Sequence, residues 1–201
     1  MSSPILTPVN SNPRIHVYGH VSAQPSTIAQ LFDGEVALAV NPESDLAIFA
    51  VNPSAGISQE AIDQWNALSE YQVPRLVVVN GLDGSDFDFE DAVMVANRVF
   101  DQLVTPYLVL HGDDGAPTAL ISLADLSIID YSLTPPERRP SDPEHQELVK
   151  DFREEYLEDL EGSGDDAFAA GLLFPAIPLV PSKGIGVDVV REYIAQLNPN
   201  S

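Results

Sequence analysis

The chain has 201 residues, enough for one well-filled core or one domain with a small insert. Apolar residues make up 44% of it, a globular composition, and no apolar run approaches the ~18–20 residues a bilayer span needs, so no membrane role is expected. Nine basic against 31 acidic residues give a formal charge of −22, which repels phosphate backbones and disfavours nucleic acid as a partner, and the lack of cysteine removes disulfides, thiolate catalysis and Cys-based zinc sites.

Residues 1–13 (MSSPILTPVNSNP) carry neither a basic n-region nor an apolar h-region and read as a flexible arm, not a signal peptide, so a cytoplasmic location is expected. A strand is predicted over Arg14–Val21. A helix follows over about Pro25–Phe32, opened by Pro25, whose missing N–H costs nothing in a first turn. Glu35–Val40 and Asp45–Val51 both read as strands, each ending in a similar Asn-Pro turn, AVNPES and AVNPSA. Only Asn41–Ser44 joins them, too short for a parallel crossover, so they are expected to run antiparallel, as a hairpin or with one passing beneath a neighbour.

A helix over about Gln59–Tyr71 has Ser58 as cap and Glu60 in its first turn. PRLVVVN (74–80) is a continuous apolar strand of the kind buried in parallel sheets, and a helix is predicted over about Phe89–Leu103. The alternation of strand and helix argues for an α/β sheet with flanking helices. Then TPYLVLHG (105–112), PTALISL (117–123) and LSIIDY (126–131) form a small antiparallel meander. A Pro-rich link, TPPERRPSDPE, leads to a charged helix over about Pro143–Leu160. FPAIPLVPS and GVDVVREYIAQL close the chain as strand and helix. The expected organisation is an arm (1–13), an α/β domain built from 14–104 and 172–201, and an inserted subdomain over 105–171.

Order and residues together resemble the GTP-binding domain of translation elongation factor G. That family opens on A/G-H-V-D-A-G-K-T-T, and the same register here reads Gly19-His20-Val21-Ser22-Ala23-Gln24-Pro25-Ser26-Thr27. The family's G-V-Q-x-Q-T-x-x-x-W, Y-x-V-P-R and V-N-K-x-D meet GISQEAIDQW (56–65), YQVPR (71–75) and VNGLD (79–83). Its small β-rich insert with an acidic helix ending Y-L-E meets PYLVLHG, TALISLADLSIIDY and EEYLEDLEG, and its closing segment meets PAIPLVPSKGIGVDVVREYIAQLNP. The match is collinear over about 14–199. The resemblance implies a P-loop GTPase-like, mainly parallel sheet with flanking helices and a small α+β insert.

Measured against that pattern, the chemistry is depleted. A phosphate-binding loop works through converging backbone N–H groups, a Lys that neutralises phosphate, and a Ser or Thr on Mg²⁺. Here Gln24 stands at the second Gly and Pro25 at the Lys, which removes a cation and an N–H donor. Losing one partner of a buried charge contact costs about 2–5 kcal/mol. Ser26 and Thr27 survive as candidate Mg²⁺ and phosphate ligands, or as ordinary first-turn residues. Of the base-reading N-K-x-D, Asn80 and Asp83 match and Gly81 replaces the Lys; an Asp there accepts hydrogen bonds from guanine, though Asn and Asp also suit a strand end. Ser182 lies where the family's S-A motif lines the base, but Lys183 replaces the Ala.

Only residues 28–44 separate Thr27 from Asp45, too few for the family's two switches, and the one D-x-x-G, Asp159–Gly162, falls in the acidic helix. No catalytic residue and no GTPase activity are expected. The chain stops where the family's G domain stops, so a translocase role is not expected either. The acidic run Asp83–Asp91 departs from an EF-hand at positions 91 and 97 and reads as helix N-terminal charge. The four histidines show no metal-ligand spacing.

The reading is a non-catalytic pseudo-GTPase that serves as a protein-binding module, with no cofactor and an unidentified protein partner contacted by the acidic insert. The acidity itself fits either simple solubility or a basic partner. The alternative is a GTP- or GDP-binding protein, with Mg²⁺, that uses Asn80, Asp83, Gln24, Ser26, Thr27 and Ser182 around a reshaped loop.

Overall fold

The computed structural model describes residues 12–197, so all but the last two residues of the expected arm lie outside the described residues. Strand β1 (Ile15–Tyr18) is held at its start by Arg14, whose backbone N–H and guanidinium both donate to the Asp45 carboxylate. A 3-10 turn over Val21–Ala23 leads into α1 (Pro25–Leu31), with Pro25 opening the helix as the sequence predicts. After α1 come a two-residue strand, β2 (Glu35–Val36), and then β3 (Leu46–Val51). Helix α2 (Gln59–Ser69) starts at Ser58, whose Oγ accepts from the Ala61 N–H. β4 (Arg75–Asn80) and β3 are buried at every residue, as a sheet covered on both faces demands.

β2 and β3 do not run antiparallel. Both pair parallel with β1, one on each side, and the five-stranded sheet is parallel throughout. The expected strand over 35–40 stops after Val36, which frees segment 37–45 to cross β1 without a helix. His16 and Tyr18 on β1 hold that crossover. The Tyr18 hydroxyl accepts from the Asn41 N–H at 3.2 Å. The Ser44 hydroxyl donates to the Asn41 carbonyl at 2.7 Å, so its oxygen is left to accept from His16 Nδ1 at 2.8 Å. His16 Nε2 then accepts from the Asn41 side-chain amide at 3.2 Å. His16, the one partly exposed residue of an otherwise buried strand, thus serves as the anchor of a helix-free crossover.

Helix α3 (Phe89–Ala96) is capped by Asp88, whose carboxylate accepts from the Asp91 N–H, and Glu90 and Asp91 sit in its first turn. The predicted helix runs to Leu103, but the observed one ends at Ala96. Phe100 turns in to stack on Trp65 at 4.4 Å, and the Asn97 side chain takes the Leu103 N–H at 2.8 Å. A second, antiparallel sheet follows in the order β5 (Tyr107–His111), β6 (Pro117–Ser122), β7 (Ser127–Asp130), β8 (Glu137–Pro140). β8 arises from what the sequence shows as a Pro-rich link. All four of its residues are exposed, so no apolar alternation marks it, and its terminal Pro140 sits where an edge strand tolerates a missing N–H.

The predicted charged helix is broken at Val149 into α4 (Pro143–Leu148) and α5 (Lys150–Leu160). Val149 and Tyr156 are buried in the core that both sheets share, and Arg153 donates to the carbonyls of Leu123 and Ala124 between β6 and β7. The chain returns through β9 (Ala176–Leu179), which pairs parallel with β4, and ends in α6 (Val187–Ala195). The parallel sheet therefore runs β2-β1-β3-β4-β9, flanked by helices, with the small antiparallel sheet beside it. The sheets are stitched where Val104 exchanges backbone hydrogen bonds with Phe174 and Ala176. The Tyr131 hydroxyl donates to Asp188 on α6; burial, and then this carboxylate, push the phenol pKa far above its ordinary value. No described helix is long and apolar enough to cross a membrane.

The core is organised around Arg75, the first residue of β4, which is 2% exposed. Its Nη1 donates to the Trp65 carbonyl at 3.1 Å, to Ser69 Oγ at 2.5 Å and to Asp101 Oδ2 at 3.3 Å. The guanidinium lies 4.5 Å from the Trp65 ring and 4.3 Å from the Phe174 ring. The Trp65 indole N–H donates to the same Asp101 oxygen at 2.9 Å. One cation thus ties α2, β4, the turn after α3 and the approach to β9. We expect Arg75→Ala to cost about 2–5 kcal/mol, because it opens a void beside two aromatic rings and takes a donor from the Trp65 carbonyl, while the half-exposed Asp101 returns to water. Arg75→Lys should recover only part of that, since a compact ammonium cannot reproduce the planar guanidinium's contacts with the two rings and its three acceptors together. Urea unfolding followed by Trp65 fluorescence measures both.

Candidate functional site

The site predicted from sequence lies at the C-terminal ends of the parallel strands, where open α/β sheets place ligands. It is built from the loop after β1 (19–24), the turn after β3, the loop after β4 and the 3-10 turn after β9. Gly19 begins it with φ +145, and a Cβ there would come within 2.5 Å of the Ala50 carbonyl oxygen; this position lets β1 leave the sheet tight against β3.

The loop then closes on itself. The Ser22 N–H donates to His20 Nδ1, the Ala23 N–H to the His20 carbonyl, the Gln24 N–H to the Val21 carbonyl and the Thr27 N–H to the Gln24 carbonyl. The N–H groups of Ser22, Ala23, Gln24 and Thr27 thus bond within the chain, and Pro25 has none. Gln24 nevertheless occupies the left-handed conformation, φ 54 and ψ 53, that glycine takes freely. The backbone shape of a glycine position is retained without the glycine.

Two asparagines hold the turn from below. Asn80, buried at the end of β4, donates its amide to the Ala23 carbonyl at 2.9 Å, and its Oδ1 accepts from the Gly81 N–H. Asn52, just past β3, donates to the Ser22 carbonyl at 2.9 Å, and its Oδ1 accepts from the Ser54 N–H. Asn41 in the other Asn-Pro turn works alike, accepting from the Glu43 N–H and reaching back to His16. Four shared letters do not make a repeat, but in both Asn-Pro turns the Asn folds its own turn and clamps a neighbour. The signal was visible in the sequence, and the clamping partner was not. The cavity beneath the loop, between His20, Ala23, Asn52 and Ala61, is about 10 Å³.

The remaining candidates separate into two groups. Ser26 and Thr27 are exposed in the first turn of α1, and Ser182 is exposed in the 3-10 turn after β9. Asp83 is met by Lys183, whose Nζ lies 3.4 Å from its Oδ1 and also donates to the Pro117 carbonyl at 3.2 Å. The carboxylate that would read guanine therefore faces a lysine of the same chain, in a partly exposed pair. Lys183 is the residue that sequence reasoning undervalued: it stands where the related motif has Ala, and a new cation beside a base-reading Asp was the available clue. Among the described residues, no cluster of three or more His, Asp or Glu could hold a metal ion.

The left-handed Gln24 gives a direct test. An L-residue pays roughly 1–2 kcal/mol for that conformation. Gln24→Gly is expected to recover a good part of it and raise the melting temperature, whereas Gln24→Val, β-branched, should lower it; differential scanning calorimetry measures both.

No family model matches the chain. It is 23% identical over 167 residues to an elongation factor G-like protein of Mycobacterium tuberculosis, covering 71% of this chain and 23% of that protein. It is 23% identical over 176 residues to an elongation factor G-like protein of Thermotoga maritima, covering 77% of this chain and 25% of that protein. A crystal structure of a Thermus thermophilus protein superposes with a TM-score of 0.65 at 25% identity, over 78% of this chain and 27% of that one. The chain spans about a quarter of the length of the curated relatives it matches. It resembles an elongation factor G-like domain in sequence and has a P-loop GTPase-like fold.

Proposed function

We propose that this chain is a non-catalytic relative of the elongation factor G-like GTP-binding domain, in which the scaffold serves protein recognition. The observation that carries the reading is the self-closed turn: four of its amides donate within the loop and Pro25 has none to offer. The pairing of Asp83 with Lys183 supports it from the base-reading side. Between α1 and β3 the chain holds only β2 and the crossover 37–45, which leaves no segment of switch length. Isothermal titration with GDP and GTP at millimolar Mg²⁺ should give no saturable heat up to millimolar nucleotide. Micromolar binding that disappears in Asp83→Ala would overturn the proposal in favour of a nucleotide-binding protein with a reshaped loop.

The surface best suited to a partner is the acidic outer face of α5. Asp151, Glu154 and Glu158 are exposed at helical spacing, while Tyr156 on the same helix anchors it to the core. Removing the whole helix would uncover the second sheet, so charge reversal is the cleaner probe. Changing these three acids to Lys should leave the melting temperature within a few degrees and abolish co-purification of any partner protein. Co-purification that survives the reversal would remove α5 from the interface.

A further inference from the structure

A sizeable hollow among the described residues lies away from the strand ends. It is a cavity of about 260 Å³ between α3, the start of β5 and α5. Met94 from α3, Leu108 from β5, and Phe152 and Tyr156 from α5 make its apolar wall. Three carboxylates, Glu90, Glu155 and Asp159, also line it, and none of its lining residues is Lys, Arg or His. Met94 and Phe152 are 52% and 44% exposed, so the apolar wall opens to solvent.

We propose that this groove binds an alkylammonium group carried on an apolar stem. The stem would lie against Met94, Leu108 and Phe152, and the ammonium would sit among the carboxylates beside the aromatic rings, where charge pairing and cation–π attraction act together. The inference does not rest on the fate of the nucleotide site. Two of the carboxylates, Glu90 and Asp159, have the character of groups short of a counter-ion. Burial, and then the neighbouring Asp88 and Asp91, push the Glu90 carboxyl above its ordinary range, against a backbone hydrogen bond that lowers it. Burial, and then Glu158, do the same to Asp159. The partner that Asp159 has is neutral, the Gln102 amide at 2.7 Å. A bound ammonium would relieve both, whereas an anion or a wholly apolar ligand would relieve neither. The same chemistry could come from a free aliphatic amine or from a lysine side chain.

The methionines provide the readout. The chain has two, Met1 and Met94, so labelling methionine methyls with ¹³C gives one resonance from this groove. Hexylammonium, hexanol and hexanoate are titrated at equal ionic strength. The Met94 methyl should shift saturably with hexylammonium, at roughly tenfold or more higher concentrations with hexanol, and not with hexanoate. Glu90→Gln should weaken hexylammonium severalfold and leave hexanol unchanged; Glu155→Gln serves if the first variant does not fold. Nα-acetyl-lysine methylamide distinguishes the sources: tighter binding than hexylammonium assigns the ammonium to a polypeptide, weaker binding to a free amine. Equal response to hexylammonium and hexanol, or hexylammonium binding undiminished in the folded carboxylate variant, overturns the proposal.

Discussion

A single buried guanidinium sets the terms for the rest of this fold. Arg75 enters β4 from its N-terminal end, and a charge in that position must be surrounded by acceptors and polarisable rings or expelled. The chain surrounds it. α2 supplies the Trp65 carbonyl, the Ser69 hydroxyl and the Trp65 ring, the Phe174 ring adjoins Trp65 edge-to-face beside the same guanidinium, and Asp101 supplies the counter-charge. Burial lowers the Arg75 pKa while Asp101 raises it, which is the balance of a charge kept in the interior by its partner. The early end of α3 follows from this. If the helix ran on to Leu103, Phe100 and Asp101 could not both turn toward Trp65.

At the opposite end of the sheet the constraint is of another kind. The loop after β1 keeps the outline of a phosphate-binding loop, down to a left-handed residue at the glycine position, yet its hydrogen-bonding capacity is directed inward. Asn52 and Asn80 satisfy the carbonyls of Ser22 and Ala23 from the strands below. A loop that must hold an anion presents its N–H groups outward and depends on the ligand to satisfy them. Here the Ser22, Ala23 and Gln24 amides bond within the loop, and at the neighbouring position the Asp83 carboxylate meets Lys183.

The charge of the molecule is distributed against that background. Most of the 31 acidic residues lie on surfaces, but Glu90 and Asp159 are drawn partly inside, next to exposed methionine and phenylalanine. A groove with apolar walls and carboxylates but no cation is selective by its composition, because the ligands that suit it are few. It lies where the antiparallel sheet and α5 meet α3, so it exists only because the segment from β5 to α5 packs back against α3.

Much of this was legible in the sequence. Local chemistry determined the alternation of strand and helix, the buried run that became β4, Pro25 at the head of α1, the Ser58 cap and the acidic start of α3; each depends on residues within one turn or one strand of each other. It also showed where residues 19–27 differ from the phosphate-loop pattern they resemble. Only the tertiary structure decided the direction of β2, the helix-free crossover pinned to His16, the edge strand β8 drawn from a Pro-rich link, the break at Val149, and the pairing of Lys183 with Asp83 across 100 positions of chain. These features rest on hydrogen bonds and burial between segments far apart in sequence. The pattern of one segment states what it can become, and the surface it packs against selects among those outcomes.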